Sequence, residues 1–256
     1  MNNPKSKITG GKTQKLFEAT VLNKYRVSYF QCCDTGFIQT ENPYWLDEAY
    51  SEAITSLDIG LVGRNLVCRD ITRLIIESCF SPSGKFVDFG GGYGLFVRLM
   101  RDVGFDFYNF DIHCPNLFAK TFEWNSSDTS SAELLTAWEV FEHLADPGAS
   151  IEQMLQFSDN ILFSTTLVPP GQVSAASDWW YFAPQLGQHV SFYTVQALQH
   201  LAARFDLKVY TDGRTTHMFT RKTVRNPFAP KLKWALNRRL SSLKRAINRN
   251  SAKKSL

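Results

Sequence analysis

Several absences narrow the reading of this 256-residue chain. No apolar stretch approaches ~20 residues, so no membrane-spanning helix is expected. The first residues, M-N-N-P-K-S-K-I-T-G, have no apolar run behind their lysines, which argues against a secretory signal. The five cysteines, Cys32, Cys33, Cys68, Cys79 and Cys114, are odd in number and form no C-x-x-C pair. Idle or buried thiols in a reducing compartment are expected, and with them a cytoplasmic protein. No G-K-[ST] exists for a P-loop, and no internal repeat is visible. Acidic residues are missing from Arg221 onward, where 12 Lys/Arg stand alone. The rest of the chain then has 16 basic and 24 acidic residues, a net −8, so a mildly acidic body carries a strongly basic tail.

What is present suffices for a large core. Apolar residues make up 44% and aromatic residues 14%, so folding requires neither disulfide nor metal. Residues 1 to about 22 are polar and read as frayed. Residues 25–60 are rich in aromatics. Alternation at Tyr25, Val27 and Tyr29, and again at 37–39, predicts a small hairpin, and residues 45–54 read as a helix. Apolar residues at three- and four-residue steps predict a helix over 58–79, stopped by S-P-S-G. Strands are predicted at 85–89, 105–110, 134–140, 160–165, 207–211 and 217–221, with helices at 95–103, 147–157 and 195–203. Strands separated by helices imply parallel β-α-β units with helices on both faces of a sheet.

The chemistry concentrates at F-V-D-F-G-G-G-Y-G, residues 86–94. Asp88, Gly90, Gly92 and Gly94 follow a buried strand and precede an amphipathic helix. Glycines let the backbone turn sharply and approach a ligand closely at the carboxyl ends of the strands. A dinucleotide turn requires a small residue where this chain has Leu95 or Val97. Asp88 inside the turn suits a ligand that carries an ammonium group and is poorly placed for a pyrophosphate. Asp111, 21 residues past Gly90, ends the second strand, where a carboxylate can accept both hydroxyls of a ribose or cap a helix.

With W-E-V-F-E-H-L-A-D-P at 138–147 added, residues 60–220 strongly resemble class I S-adenosylmethionine-dependent methyltransferases. The first motif matches at Asp88, Gly90, Gly92 and Gly94, the ribose acid at Asp111, and the fourth-strand element at Glu139, Val140, Glu142 and His143. The resemblance implies an α/β fold: a doubly wound, mostly parallel, seven-stranded Rossmann-like sheet. A small N-terminal extension (1–60) would precede this methyltransferase domain (61–221), and a basic amphipathic tail (222–256) would follow it. The implied cofactor is S-adenosylmethionine, bound by Asp88, Gly90, Gly92, Gly94, Asp111 and Glu139. The family's third strand is weak here; Phe122-Glu123-Trp124 or Asp128 stands in for its adenine-contacting acid.

On the acceptor side, the loop V-P-P-G-Q-V-S-A-A-S-D-W-W-Y-F-A-P is long and aromatic. Trp179, Trp180 and Tyr181 could stack on a sugar ring. His189 resembles the histidine that sugar methyltransferases place in an E-H pair after the fifth strand, with Gln188 replacing the glutamate. It is the candidate base, or a partner of the next helix's N-terminus near Thr194. His143 is either a second acid-base group or a helix-capping or packing residue. Some sugar methyltransferases carry an N-terminal zinc module with paired C-x-x-C motifs; those are missing here, and no metal is expected. The implied acceptor is a small molecule, a sugar or sugar-linked intermediate of surface-glycan assembly, with a quinone-like or lipid acceptor or a non-catalytic scaffold as alternatives. In the tail, Leu232, Leu236, Leu240, Leu243 and Ile247 form an apolar stripe among Lys and Arg. Residues 230–249 suit an anionic membrane surface at the inner face of the membrane, or packing on the domain or a partner. The acidic body disfavours nucleic acid.

Overall fold

The computed structural model describes residues 3–50, 60–125 and 131–228. The predicted basic helix at 230–249, the second half of the helix predicted at 45–54, and Asp128 lie outside those residues.

The chain opens with three strands, β1 (Thr13–Val21), β2 (Tyr25–Cys32) and β3 (Ile38–Thr40), followed by a short helix α1 (Leu46–Ala49). Helix α2 (Leu61–Cys79) leads into β4 (Lys85–Phe89), α3 (Leu95–Asp102) and β5 (Asp106–Phe110). Then come β6 (Leu134–Ala137), α4 (Pro147–Leu155), β7 (Asn160–Ser164), β8 (Ser191–Phe192), α5 (Val195–Arg204), β9 (Lys208–Thr211) and β10 (Thr216–Thr220). The main sheet has the order β5-β4-β6-β7-β10-β9. Its first four strands run parallel, and β10 is antiparallel to both β7 and β9.

Alternation along the strands explains the two-sided core. Val87, Leu135, Ile161, Phe163 and Phe219 face one way and pack with Ile151 and Met154 of α4 and Leu198 and Leu201 of α5. Their neighbours Phe86, Leu134, Leu162 and Met218 face the other way, toward Ile75 and Ile76 of α2 and Phe96, Val97 and Met100 of α3. A strand buried on both faces reads as a continuous apolar run, as these do. The order reverses at β4, with β5 on one side and β6 on the other. The crevice where ligands bind in such sheets is therefore at the carboxyl ends of β4 and β6.

Two sequence expectations are corrected. Among the described residues the main sheet has six strands where seven were expected. Between Asp111 and Leu134 the described residues give one parallel bridge, Asn109 to Glu123. The Asn109 amide donates to Phe122 (2.7 Å), and the Trp124 amide donates to Asn109 (2.9 Å). The residues before it are spent in turns held by Asn116, whose side chain bonds the amide and the carbonyl of Ala119. The second correction is at the N-terminus. Residues 13–21 are not frayed but form β1, paired along its length with β2. Phe17 and Val21 face the core while Glu18 meets Lys15 and Arg26 on the wet side. One wet face makes such a strand look like a polar stretch.

The predicted hairpin is present as β2 and β3, and it grows into a second sheet, β1-β2-β3-β8. Its last strand is borrowed from the loop after β7, through Ile38 opposite Phe192 and Gln39 opposite Ser191. The N-terminal strands and the loop between β7 and β8 thus share one hydrophobic cluster, with Phe17, Tyr29, Trp45, Trp179, Phe182 and Phe192 in it.

Candidate active site

The glycine turn is built from β4 upward. Gly90, Gly92 and Gly94 have φ of 70°, 54° and 81°, a region that L side chains rarely adopt. The Gly90 amide donates to Phe110 at the end of β5 (2.8 Å), which fixes the turn against the next strand. Behind it the packing is tight: a Cβ on Gly90 would come 2.8 Å from Val140, and one on Gly94 2.3 Å from Asn116. A Cβ on Gly92 would meet nothing within 4 Å, so this residue marks the open side of the turn. Gly91, which conformation alone does not single out, is the most crowded. A Cβ there would stand 2.1 Å from Asn109 Oδ1 and 2.6 Å from Asp88 Oδ2.

Both acids of the motif touch this turn. Asp88 lies beneath it, 3% exposed, and accepts a hydrogen bond from Thr136 Oγ1 (2.6 Å). Burial pushes its carboxyl up to about 7, opposed by the Thr136 bond and assisted by the nearby charge of Asp111. Asp111 spans the turn and its own loop: Oδ2 accepts from the Gly92 amide (2.8 Å), and Oδ1 from the amides of His113 (2.7 Å) and Cys114 (2.8 Å). It caps no helix. Glu139 has a left-handed φ of 55°, which ends β6 earlier than the predicted 134–140 strand. Its carboxylate pairs with Arg64 (2.9 Å), beside the Val140 that packs on Gly90. Past Asp111 the apolar side chains of Ile112, Leu117 and Phe118 stand exposed. The amides of Leu117 and Phe118 bond Tyr93 in the turn, so this apolar rim belongs to the same crevice. Open backbone at Gly92, carboxylates at Asp88 and Asp111 and an apolar rim fit a cationic, adenosine-bearing cofactor.

The second half of the site is assembled from three distant segments. His143 follows β6 in a short turn (Phe141–His143), and its Nδ1 shares a hydrogen bond with Tyr50 Oη (2.9 Å). Tyr50 in turn stacks on His113, the rings 5.4 Å apart and 7° from parallel. A run of rings thus connects the loop of Asp111 to His143, and His143 to His189 (centroids 5.0 Å). His189 Nδ1 donates to the Tyr181 carbonyl (2.6 Å); a carbonyl only accepts, so Nε2 is left with the lone pair. His189 therefore does not cap the following helix. Thr194 does that, accepting from the Ala197 amide, and Asp146 rather than His143 caps α4. Burial lowers both histidines: His143 falls well below the usual range, helped by His189, while the Tyr181 carbonyl partly offsets the effect at His189.

Glu142 completes this group. It is 2% exposed, and its Oε2 is buried without a hydrogen-bond partner. Burial pushes its carboxyl up to about 8, against the favourable Tyr181 hydroxyl and with the help of Glu139. One ligand-capable atom each from Glu142, His143 and His189 lies within 4.8 Å of the others. The supports are backbone bonds. The Val190 amide donates to the Glu142 carbonyl (2.8 Å), Gln188 Nε2 to the Ala49 carbonyl (2.9 Å), and Trp45 Nε1 to the Gly187 carbonyl (2.8 Å). The loop that carries His189 is thereby tied to both α1 and the end of β6.

The aromatic triplet divides. Trp179 and Tyr181 are each 7% exposed and pack in the small sheet's cluster, so the core, not a ligand, occupies their faces. Tyr181 still meets the site through its carbonyl, which holds His189 Nδ1, and through its ring beside His189 (centroids 4.8 Å). Trp180 is 76% exposed. The sequence reading missed Tyr50, Glu142 as chemistry, and the crowding at Gly91. The E-V-F-E-H element contained the signal for Glu142; nothing local marks Tyr50.

A methyltransferase-domain family matches residues 63–212. Curated proteins give no match. Among solved structures, a methyltransferase of calicheamicin biosynthesis with S-adenosylhomocysteine bound is 15% identical, with a TM-score of 0.43. That match covers 70% of this chain and 60% of the other, so the chain spans less than two thirds of that protein. The plantazolicin methyltransferase, also with S-adenosylhomocysteine, is 12% identical over 71% of this chain and 95% of its own, at 0.48. Magnesium protoporphyrin IX methyltransferase from Synechocystis PCC 6803 is 11% identical over 68% and 90%, at 0.44. With the family match covering more than half its length, the chain belongs to the methyltransferase-domain family.

Proposed function

We propose that the chain methylates a hydroxyl of a small-molecule acceptor, a sugar or sugar-linked intermediate, and that the hydroxyl is activated at Glu142, His143 and His189. One observation carries this reading: the three side chains converge where β6 ends, and His189 presents a bare Nε2 there. When bound, S-adenosylmethionine supplies a methyl group on a positively charged sulfur. The chain's own part is to hold the acceptor and to lower the cost of losing its proton. Burial favours the neutral form of both histidines, and the Nε2 lone pair of His189 is available to an incoming hydroxyl. The Tyr181 carbonyl and Tyr50 fix the two rings, and the ring contacts through His113 connect acceptor side and cofactor side, which favours positioning.

The sugar reading draws on the family likeness and on Trp180, the one member of the triplet free to stack on a ring. The basic residues of 230–249 support a further element, contact with an anionic membrane surface where lipid-linked intermediates are made. Transfer of labelled methyl to a panel of nucleotide sugars, with quinol-like acceptors alongside, tests the substrate class. Methylation of the sugars is expected; methylation of the quinols alone would replace the sugar reading.

A further inference from the structure

We propose that Glu142, His143 and His189 form a binding site for a first-row divalent transition-metal cation, and that this cation is what activates the acceptor hydroxyl. The inference deepens the acceptor-side reading above and rests on it. Three independent observations point to a ligand. The group is a two-histidine, one-carboxylate set, with a ligand-capable atom from each residue within 4.8 Å of the others. With ~2.1 Å bonds the edge of a tetrahedral coordination sphere is ~3.4 Å, so modest side-chain rotation closes the set on a cation.

The second observation is the orientation of the histidines. Each Nδ1 already has an outer partner, Tyr50 Oη for His143 and the Tyr181 carbonyl for His189. That is the arrangement that orients metal-binding imidazoles and turns Nε2 inward. The third is Glu142 Oε2. A buried carboxyl oxygen with no hydrogen-bond donor is costly, and the loop bonds from Val190 and Gln188 hold the surrounding backbone in place rather than relieving it. A cation satisfies that oxygen and the bare Nε2 of His189 together, and takes His143 Nε2 as well once its Nδ1 donates to Tyr50 Oη.

The donor set selects the metal. Two imidazoles and one carboxylate suit Zn²⁺, Mn²⁺, Fe²⁺ or Co²⁺ over the all-oxygen preference of Mg²⁺ and Ca²⁺. Three protein ligands leave coordination positions for water or for the acceptor's oxygen. A hydroxyl bound there would lose its proton to solvent more readily, and its oxygen would bond to the methyl carbon as that carbon's bond to the sulfonium sulfur breaks, the sulfur leaving as the neutral thioether. Both histidines are half-buried, so the site is not closed off from solvent.

The full chain, stripped with chelator, should be titrated with Co²⁺ and with Mn²⁺, followed by visible absorption, paramagnetic resonance and calorimetry. One cation per chain is expected, with a raised melting temperature. In Glu142→Gln and in His189→Ala, cation affinity should fall by about a hundredfold or more, while S-adenosylmethionine binding, measured on the same samples, stays at the wild-type level. Preserved cofactor binding in Glu142→Gln, which keeps the shape of the side chain, shows that the variant is folded. Absence of cation binding in the wild type, or equal binding in both variants, would overturn the metal site. Loss of cofactor binding in the wild type would instead overturn the methyltransferase reading beneath it.

Discussion

The proposed cofactor side and the proposed acceptor side of this crevice are built in opposite ways. The cofactor side is local. Asp88, Gly90, Gly92, Gly94 and Asp111 lie within 24 consecutive residues, and their geometry follows from a strand, a left-handed turn and a helix. The acceptor side is assembled from residues 50, 142–143 and 181–189, joined by the bonds of Tyr50, Val190 and Tyr181 and by a strand lent to the N-terminal sheet. The first is set mainly by one stretch of chain, with Thr136 and Val140 as its distant supports. The second exists only once the whole chain has folded, so it can differ between chains that share the first.

If the two sides are separable, changes on one should leave the other intact. The largest effect is expected from His189→Ala. Turnover should fall by ~10²–10⁴, with cofactor affinity unchanged by calorimetry; equal loss of both would mean the sides are coupled. Next come the paired tryptophans. Trp179→Ala should cost ~3–5 kcal/mol in denaturant unfolding, because it empties a packed aromatic cluster. Trp180→Ala should stay within ~0.5 kcal/mol and show itself in KM for the acceptor instead.

A pH effect isolates the cofactor side. Asp88 has its carboxyl raised from 3.8 to about 7 by burial, so the folded chain holds this proton more tightly than the unfolded chain. Its contribution is fully favourable below about pH 4 and is lost as pH rises through 7, a loss on the order of 4 kcal/mol. Without cofactor, Asp88→Asn should therefore flatten the fall in stability between pH 4 and 8, read as Tm against pH. An unchanged slope would show that another group carries it. A smaller effect is expected from Trp45→Phe, which removes the bond to the Gly187 carbonyl and part of a buried ring. It should cost ~1–3 kcal/mol, and it should lower turnover more than cofactor affinity.

The same division explains what could be read from the sequence. The glycine turn and the alternating strands and helices after residue 60 were legible because each depends on neighbours in the chain. The third strand was not, since a single bridge at Asn109 replaces it. Strand β1 looked polar because one of its faces is wet, and its partner lies across a turn. Trp179 and Tyr181 read as a sugar platform because composition does not show which face of a ring the core takes. Glu142 stood in plain view inside E-V-F-E-H. Its burial, its unpartnered oxygen and its two histidine neighbours appear only when β6 and the loop before β8 are brought together.

The most direct measurement is calorimetric titration of the folded chain with S-adenosylmethionine, set beside Gly91→Ala. One molecule should bind per wild-type chain. In the variant, a Cβ 2.1 Å from Asn109 Oδ1 and 2.6 Å from Asp88 Oδ2 must displace the turn, and affinity should drop by about tenfold or more, the equivalent of ~1–3 kcal/mol of overpacking. A folded wild-type chain that binds no S-adenosylmethionine, or a variant that binds it equally well, would contradict the turn as the cofactor's seat.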